Sequence, residues 1–105
     1  MKVPLRYAIL ASLLWPLVGT AGPLDGAALY TGKTCFTCHG QDGKNPTMTV
    51  YPRLAGQSAD YAYTQMVDIK SGARNNGLSA AMRLVMNMVN EAEMRAIADW
   101  LATLK

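Results

Sequence analysis

Two cysteines and one histidine are all the chain holds of either type, and they fall within five residues, Cys35-Phe36-Thr37-Cys38-His39. Thiols at i and i+3 can add across the two vinyl groups of one porphyrin. An imidazole at i+4 from Cys35 lies on the same side of a helical turn and can bind the iron. The C-x-x-C-H run therefore reads as a covalent haem attachment site of c type. Three other uses compete. Cys35 and Cys38 could form a disulfide. A thioredoxin-like C-x-x-C expects a βαβ setting, and no alternating strands are legible here. A structural zinc site needs four ligands, and one protomer has no further Cys or His to offer.

The ends of the chain set the compartment. Lys2 and Arg6 form a positive start, Tyr7 to Val18 an apolar run interrupted by Pro16, and Gly19-Thr20-Ala21 a small-residue cleavage site. The apolar run is 12 residues, against about 20 needed to span a bilayer. A secretory signal over 1–21, cut after Ala21, is preferred to a retained anchor. A cut after Gly22 would leave Pro23 at +1, which peptidases dislike. The remaining chain, 22–105, is one domain with a core that is marginal by itself. A buried porphyrin would supply the missing apolar area. Thiols kept reduced for attachment after export fit the bacterial periplasm. No membrane span is expected after processing.

The formal charge of +3 shrinks once Lys2 and Arg6 are removed, leaving eight Lys and Arg against seven Asp and Glu. No concentrated basic patch marks nucleic-acid or membrane-surface binding.

Helices joined by Gly/Pro/Asn loops should position the attachment turn. The sequence predicts a first helix from Asp25, as N-cap, to Gly32, with the attachment turn next. A loop is expected from Gly40 to Gly56, where Pro46 and Pro52 forbid regular structure. Ser58 can cap a helix over Ala59–Ser71, ended by Gly72. Another helix is expected over Ser79–Met88. Asn90 with Glu93 forms a capping box opening the last helix, whose Met94, Ile97, Ala98, Leu101 and Leu104 recur at helical spacing. The fold class is all-α, with several short helices wrapped around one haem.

An iron bound by His39 leaves a second axial side, and no second His exists to fill it. Six methionines follow the signal: Met48, Met66, Met82, Met86, Met88 and Met94. Most should be core filler. Met66 and Met94 lie in helical apolar stripes, and Met48 is close to His39 in sequence. Met82, Met86 and Met88 remain as candidates. Copper binding by these three is a weaker reading, because helical spacing among core-like neighbours favours packing.

The chain resembles a small bacterial class I c-type cytochrome. It is similar to one half of the two-haem bacterial cytochromes and to the haem domain of flavocytochrome sulfide dehydrogenases. The resemblance rests on Gly26-x-x-x-Tyr30, Cys35 to Gly40, Tyr51-Pro52-Arg53-Leu54-Ala55-Gly56-Gln57, Gly72-Ala73-Arg74-Asn75 and Ile97-Ala98-Asp99-Trp100-Leu101. It implies that the ligand methionine lies seven residues before the apolar residue preceding the last helix's cap. Val89 holds that apolar place, so the count reaches Met82, with Met86 as runner-up. It implies that Pro52 offers its carbonyl to the free nitrogen of His39. It also implies that Gly26 and Tyr30 meet Trp100 and Leu101 where the first and last helices cross. Arg74, Asn75 and Gln57 could reach a haem propionate. Many relatives carry Asp-Pro shortly before the ligand methionine. This chain has Asn76-Gly77-Leu78-Ser79-Ala80-Ala81, so the rigidity of the ligand loop is expected to differ.

Cys35 and Cys38 holding haem c, with His39 and Met82 as axial ligands, imply a one-electron carrier between redox protein partners rather than an enzyme. Docking is expected at the haem edge flanked by Lys33, Gln41, Asp42 and Lys44, through a transient, weakly steered interface. Two alternatives stand beside it: a haem subunit held to a larger dehydrogenase, and an open-site haem enzyme or sensor if Met82 leaves the iron free.

Overall fold

The structure, a computed structural model, describes residues 23–105; the expected signal at 1–21 lies outside them. Five helices follow in order: α1 (Gly26–Gly32), α2 (Phe36–His39), α3 (Ala59–Ser71), α4 (Ser79–Met86) and α5 (Glu91–Thr103), with no strand among the described residues. Local chemistry explains most boundaries. The Asp25 carboxylate accepts from the Ala28 N–H, and the Ser58 hydroxyl accepts from the Tyr61 N–H. Each side chain satisfies one of the orphan donors of a first turn. No helix among these residues is long and apolar enough to cross a membrane.

The capping box at α5 is complete. The Glu93 N–H donates to the Asn90 side chain at 2.9 Å, and the Asn90 N–H donates to Glu93 Oε1 at 3.0 Å. Asn90→Ala should therefore cost about 1 kcal/mol, read as a lowered urea midpoint of the haem-loaded protein; an unmoved midpoint would mean that packing alone starts the helix.

α5 is the hub, packed against both α1 and α3, while α4 packs on α3. Its inward residues Met94, Ile97, Ala98 and Leu101 follow i, i+3, i+4, i+7 and are all buried. Tyr30 of α1, Ala62, Met66 and Ile69 of α3, and Met86 and Val89 complete the core. α1 crosses α5 at Gly26. A Cβ there would overlap the Ala96 carbonyl oxygen and lie 2.6 Å from Trp100 Cβ. Next to this crossing the Tyr30 and Trp100 rings sit 5.1 Å apart, tilted by 51°. The helix-crossing contact expected of Gly26, Tyr30 and Trp100 is present.

One helix differs from expectation. α4 ends at Met86, two residues short of Met88. The Met88 and Val89 N–H groups turn back to the Val85 and Met86 carbonyls, a tightening into i→i+3 bonds that closes the helix. The apolar residues at 88 and 89 carried the periodicity past the true end.

Candidate haem-binding site

A short turn joins α1 to the attachment run. Thr34 takes a positive φ of 65° there, with its hydroxyl donating to the Lys33 carbonyl at 2.6 Å. The Cys35 N–H then donates to the Tyr30 carbonyl at 3.1 Å, anchoring the run to α1. The His39 N–H donates to the Cys35 carbonyl at 3.0 Å. This single helical turn holds Cys35, Cys38 and His39 in one rigid unit. Both thiols are unpaired and half-buried, so the disulfide reading finds no support. Burial pushes the Cys35 thiol up to about 11. Redox C-x-x-C motifs shift that value the opposite way, to make a nucleophilic thiolate. No group of three or more His, Cys, Asp or Glu side chains that could hold a metal ion occurs among the described residues.

His39 is buried, and its Nδ1 lies 2.9 Å from the Pro52 carbonyl oxygen. A carbonyl can only accept, so Nδ1 carries the proton and Nε2 keeps a free lone pair. Burial lowers the His39 pKa, against the opposing pull of the Pro52 carbonyl. The neutral imidazole that a metal needs is therefore the stable form. Proline has no N–H, but its carbonyl remains a full acceptor, and the loop aims it. The Thr47 N–H bonds the Cys38 carbonyl at 3.0 Å, and the Thr47 hydroxyl bonds the Thr37 carbonyl at 3.0 Å. These bonds tie the loop before Pro52 to the attachment turn. The Tyr51 ring stands 6.4 Å from the His39 ring, tilted by 57°. Its place in the Tyr51-Pro52 pair was legible in the sequence, but its stacking distance from His39 was not.

Tyr30 supports the same turn from behind. Its buried hydroxyl donates to the Gly40 carbonyl at 2.5 Å. Gly40 needs φ 82°, and a Cβ on it would overlap the Asn45 carbonyl. Burial, with lesser contributions from Cys35 and Asp42, pushes the Tyr30 phenol up to about 12. An unfolded tyrosine titrates near 10. Because the folded value is raised, the stabilisation is complete below pH 10 and disappears as pH climbs through about 12. Tyr30→Phe should cost about 1 kcal/mol at pH 7 and flatten the fall in stability between pH 10 and 12. Urea midpoints across that range check both; an unchanged alkaline fall would assign it to another group.

The six methionines separate by burial. Met66, Met86 and Met94 fill the core, while Met48 and Met88 are more than half exposed. Only Met82 stands at the margin, half-buried and packed against the core from α4. A side chain at such a margin can contribute one end to packing and turn its sulfur toward a bound group. Free Nε2 on His39, two unpaired thiols on the same turn and a marginal thioether are a donor set that fits haem c.

Two of the residues expected to reach a propionate bond groups within the protein. The Arg74 guanidinium donates to Gln65 Oε1 at 3.0 Å, and the Gln57 amide donates to the Arg53 carbonyl at 2.6 Å. Both side chains are engaged with neighbours along the chain, and only exposed Asn75 is uncommitted. Lys33, expected at the docking edge, instead turns inward to Glu93 at 3.3 Å.

A family model described as Cytochrome c matches residues 24–105. The chain is 35% identical over 102 residues to the thiosulfate dehydrogenase electron acceptor of Stutzerimonas stutzeri, a match covering 83% of this chain and 46% of the relative. It is 34% identical over 97 residues to cytochrome c4 of Azotobacter vinelandii, covering 82% and 46%. It is 34% identical over 87 residues to cytochrome c-553 of Nitratidesulfovibrio vulgaris, covering 83% of both. The chain thus spans about half the length of the first two relatives and most of the third.

Proposed function

The chain belongs to the cytochrome c family, as a small monohaem class I member that binds haem c covalently, and from that premise we propose that residues 22–105 form a periplasmic one-electron carrier. Cys35 and Cys38 would hold the porphyrin covalently, and His39 and Met82 are the residues that would bind its iron. The observation that carries this reading is the His39 Nδ1 to Pro52 carbonyl bond of 2.9 Å, which leaves Nε2 as a fixed, neutral ligand. When bound, the haem supplies an iron that gains and loses one electron between Fe(III) and Fe(II).

The chain's own residues keep that exchange cheap. Pro52 fixes the His39 ring and raises its basicity. The thioether of Met82 is a soft ligand that favours the reduced iron and raises the potential relative to two imidazoles. Tyr30, by gripping Gly40, keeps the turn of Cys35–His39 from shifting between the two states. With two protein ligands in place there is no position for a substrate, so the protein is a carrier and not an enzyme. Its partners are redox proteins. One relative is named as an electron acceptor of thiosulfate dehydrogenase, which makes an oxidising dehydrogenase the donor class to test first.

The test is spectroscopic. The oxidised haem-loaded protein should show the weak red band of an Fe(III)–thioether bond, and the reduced form should not take up carbon monoxide. Ready uptake would overturn the carrier reading in favour of an open-site haem protein. A second reading, a haem subunit held to a larger dehydrogenase, is favoured by exposed Leu78, Leu84 and Met88 along the α4 segment. A stoichiometric partner that survives purification from the native source would select it.

A further inference from the structure

Two lysines from different helices reach the same pair of carbonyls. Lys33, at the C-cap of α1, donates from Nζ to the Met88 carbonyl at 2.9 Å. Lys70, in the last turn of α3, donates from Nζ to the Val89 carbonyl at 2.5 Å. These consecutive carbonyls form the junction where α4 has closed and α5 has not begun. Arg83 of α4 answers in the other direction. Its Nε donates to the Lys70 carbonyl at 3.2 Å, and its guanidinium lies over Gly72, where an added Cβ would come within 3.1 Å of it. Arg83 of α4 thus satisfies a carbonyl in the last turn of α3, where the helix dipole favours positive charge, while Lys70 of α3 reaches past the end of α4 to the junction.

Surface lysines ordinarily lose their hydrogen bonds to water at little cost. This pair differs in three respects. The targets are backbone carbonyls rather than mobile carboxylates. The reach is long-range, 55 residues for Lys33 and 19 for Lys70. Both flank Val89, which is 1% exposed and anchors the junction in the core. Glu93 supplies the countercharge, with Oε2 on Lys33 at 3.3 Å and Oε1 on the Asn90 N–H.

We propose that Lys33 and Lys70, with Arg83, are positioning residues that clamp the α4–α5 junction and so hold Met82 in place for the haem iron. The proposal rests on Met82 as the sixth ligand. Three of the chain's basic side chains are thereby spent on internal order and withdrawn from partner docking.

The test uses the haem-loaded protein carrying Lys70→Met or Lys33→Met, with Lys70→Arg as the conservative variant. Cyanide can reach the oxidised iron only after Met82 lets go, so its entry rate reads how often α4 opens. Loss of one charge-assisted bond should speed entry about tenfold in each methionine variant, and Lys70→Arg should return most of the wild-type rate. The two lysines hold different carbonyls from different helices, so Lys33→Met keeps the clamp testable where Lys70→Met does not fold. Amide exchange across residues 82–89 should rise in both variants, and it reads α4 whatever binds the iron. Unchanged exchange overturns the clamp. So does unchanged cyanide entry alongside a lowered urea midpoint, which would make the lysines merely structural. A wild-type protein with no thioether band overturns the Met82 ligand instead, and the exchange data then judge the clamp alone.

Discussion

Met82→Ala should abolish the red thioether band of the oxidised protein and admit cyanide and carbon monoxide to the iron, while leaving the apolar core intact. Met82 is half-buried at the margin of that core, so its truncation removes less packing than a fully buried methionine would. Met86 provides the contrast. It lies four residues on, on the same face of α4, and is 3% exposed. Met86→Ala should cost about 2–5 kcal/mol through the cavity it leaves and yet keep the band. The two variants separate ligation from packing: one loses the spectrum and keeps most of the stability, the other does the reverse. If Met86→Ala lost the band and Met82→Ala kept it, the ligand would be reassigned to Met86.

Gly26→Ala should destabilise the protein by about 3 kcal/mol, at the upper end for forced overpacking. The direction is the informative part. In a helix free of tertiary contacts, alanine is favoured over glycine by about 1 kcal/mol. Here the added methyl group meets the Ala96 carbonyl oxygen and lies 2.6 Å from Trp100 Cβ. A carbonyl of α5 cannot rotate away as a side-chain tip could, so α1 must move off α5. That movement would separate Tyr30 from Trp100 and loosen the bond from Tyr30 to Gly40, directly behind the haem turn. Urea denaturation of the haem-loaded variant measures the loss. A cost below about 1 kcal/mol would show that the helices re-seat without strain.

The legible part of this protein is the part governed by neighbours in sequence. Asp25, Ser58 and the Asn90–Glu93 pair each bond a backbone group three residues away, so the starts of α1, α3 and α5 could be read directly. The attachment turn is equally local, since Cys35 and His39 are joined by one helical hydrogen bond. Where competing partners were distant, reading failed. Arg74 finds its acceptor in Gln65, nine residues away, which the turn after α3 brings into range. Lys33 looked like a docking charge because its partner Glu93 lies on another helix.

The sequence by itself determined the cofactor chemistry: two thiols and an imidazole in one turn, with a methionine to be found downstream. It also determined the all-α class, because caps and apolar periodicity act over single turns. Tertiary structure alone decided which methionine stands at the edge of the core and which three lie inside it. It alone aimed the Pro52 carbonyl at His39 Nδ1 and sent Lys33 across 55 residues to the Met88 carbonyl. Burial and long-range hydrogen bonding depend on which helices cross and how closely. In this chain that is settled where Gly26 lets α1 touch α5, a contact whose two sides lie about seventy residues apart.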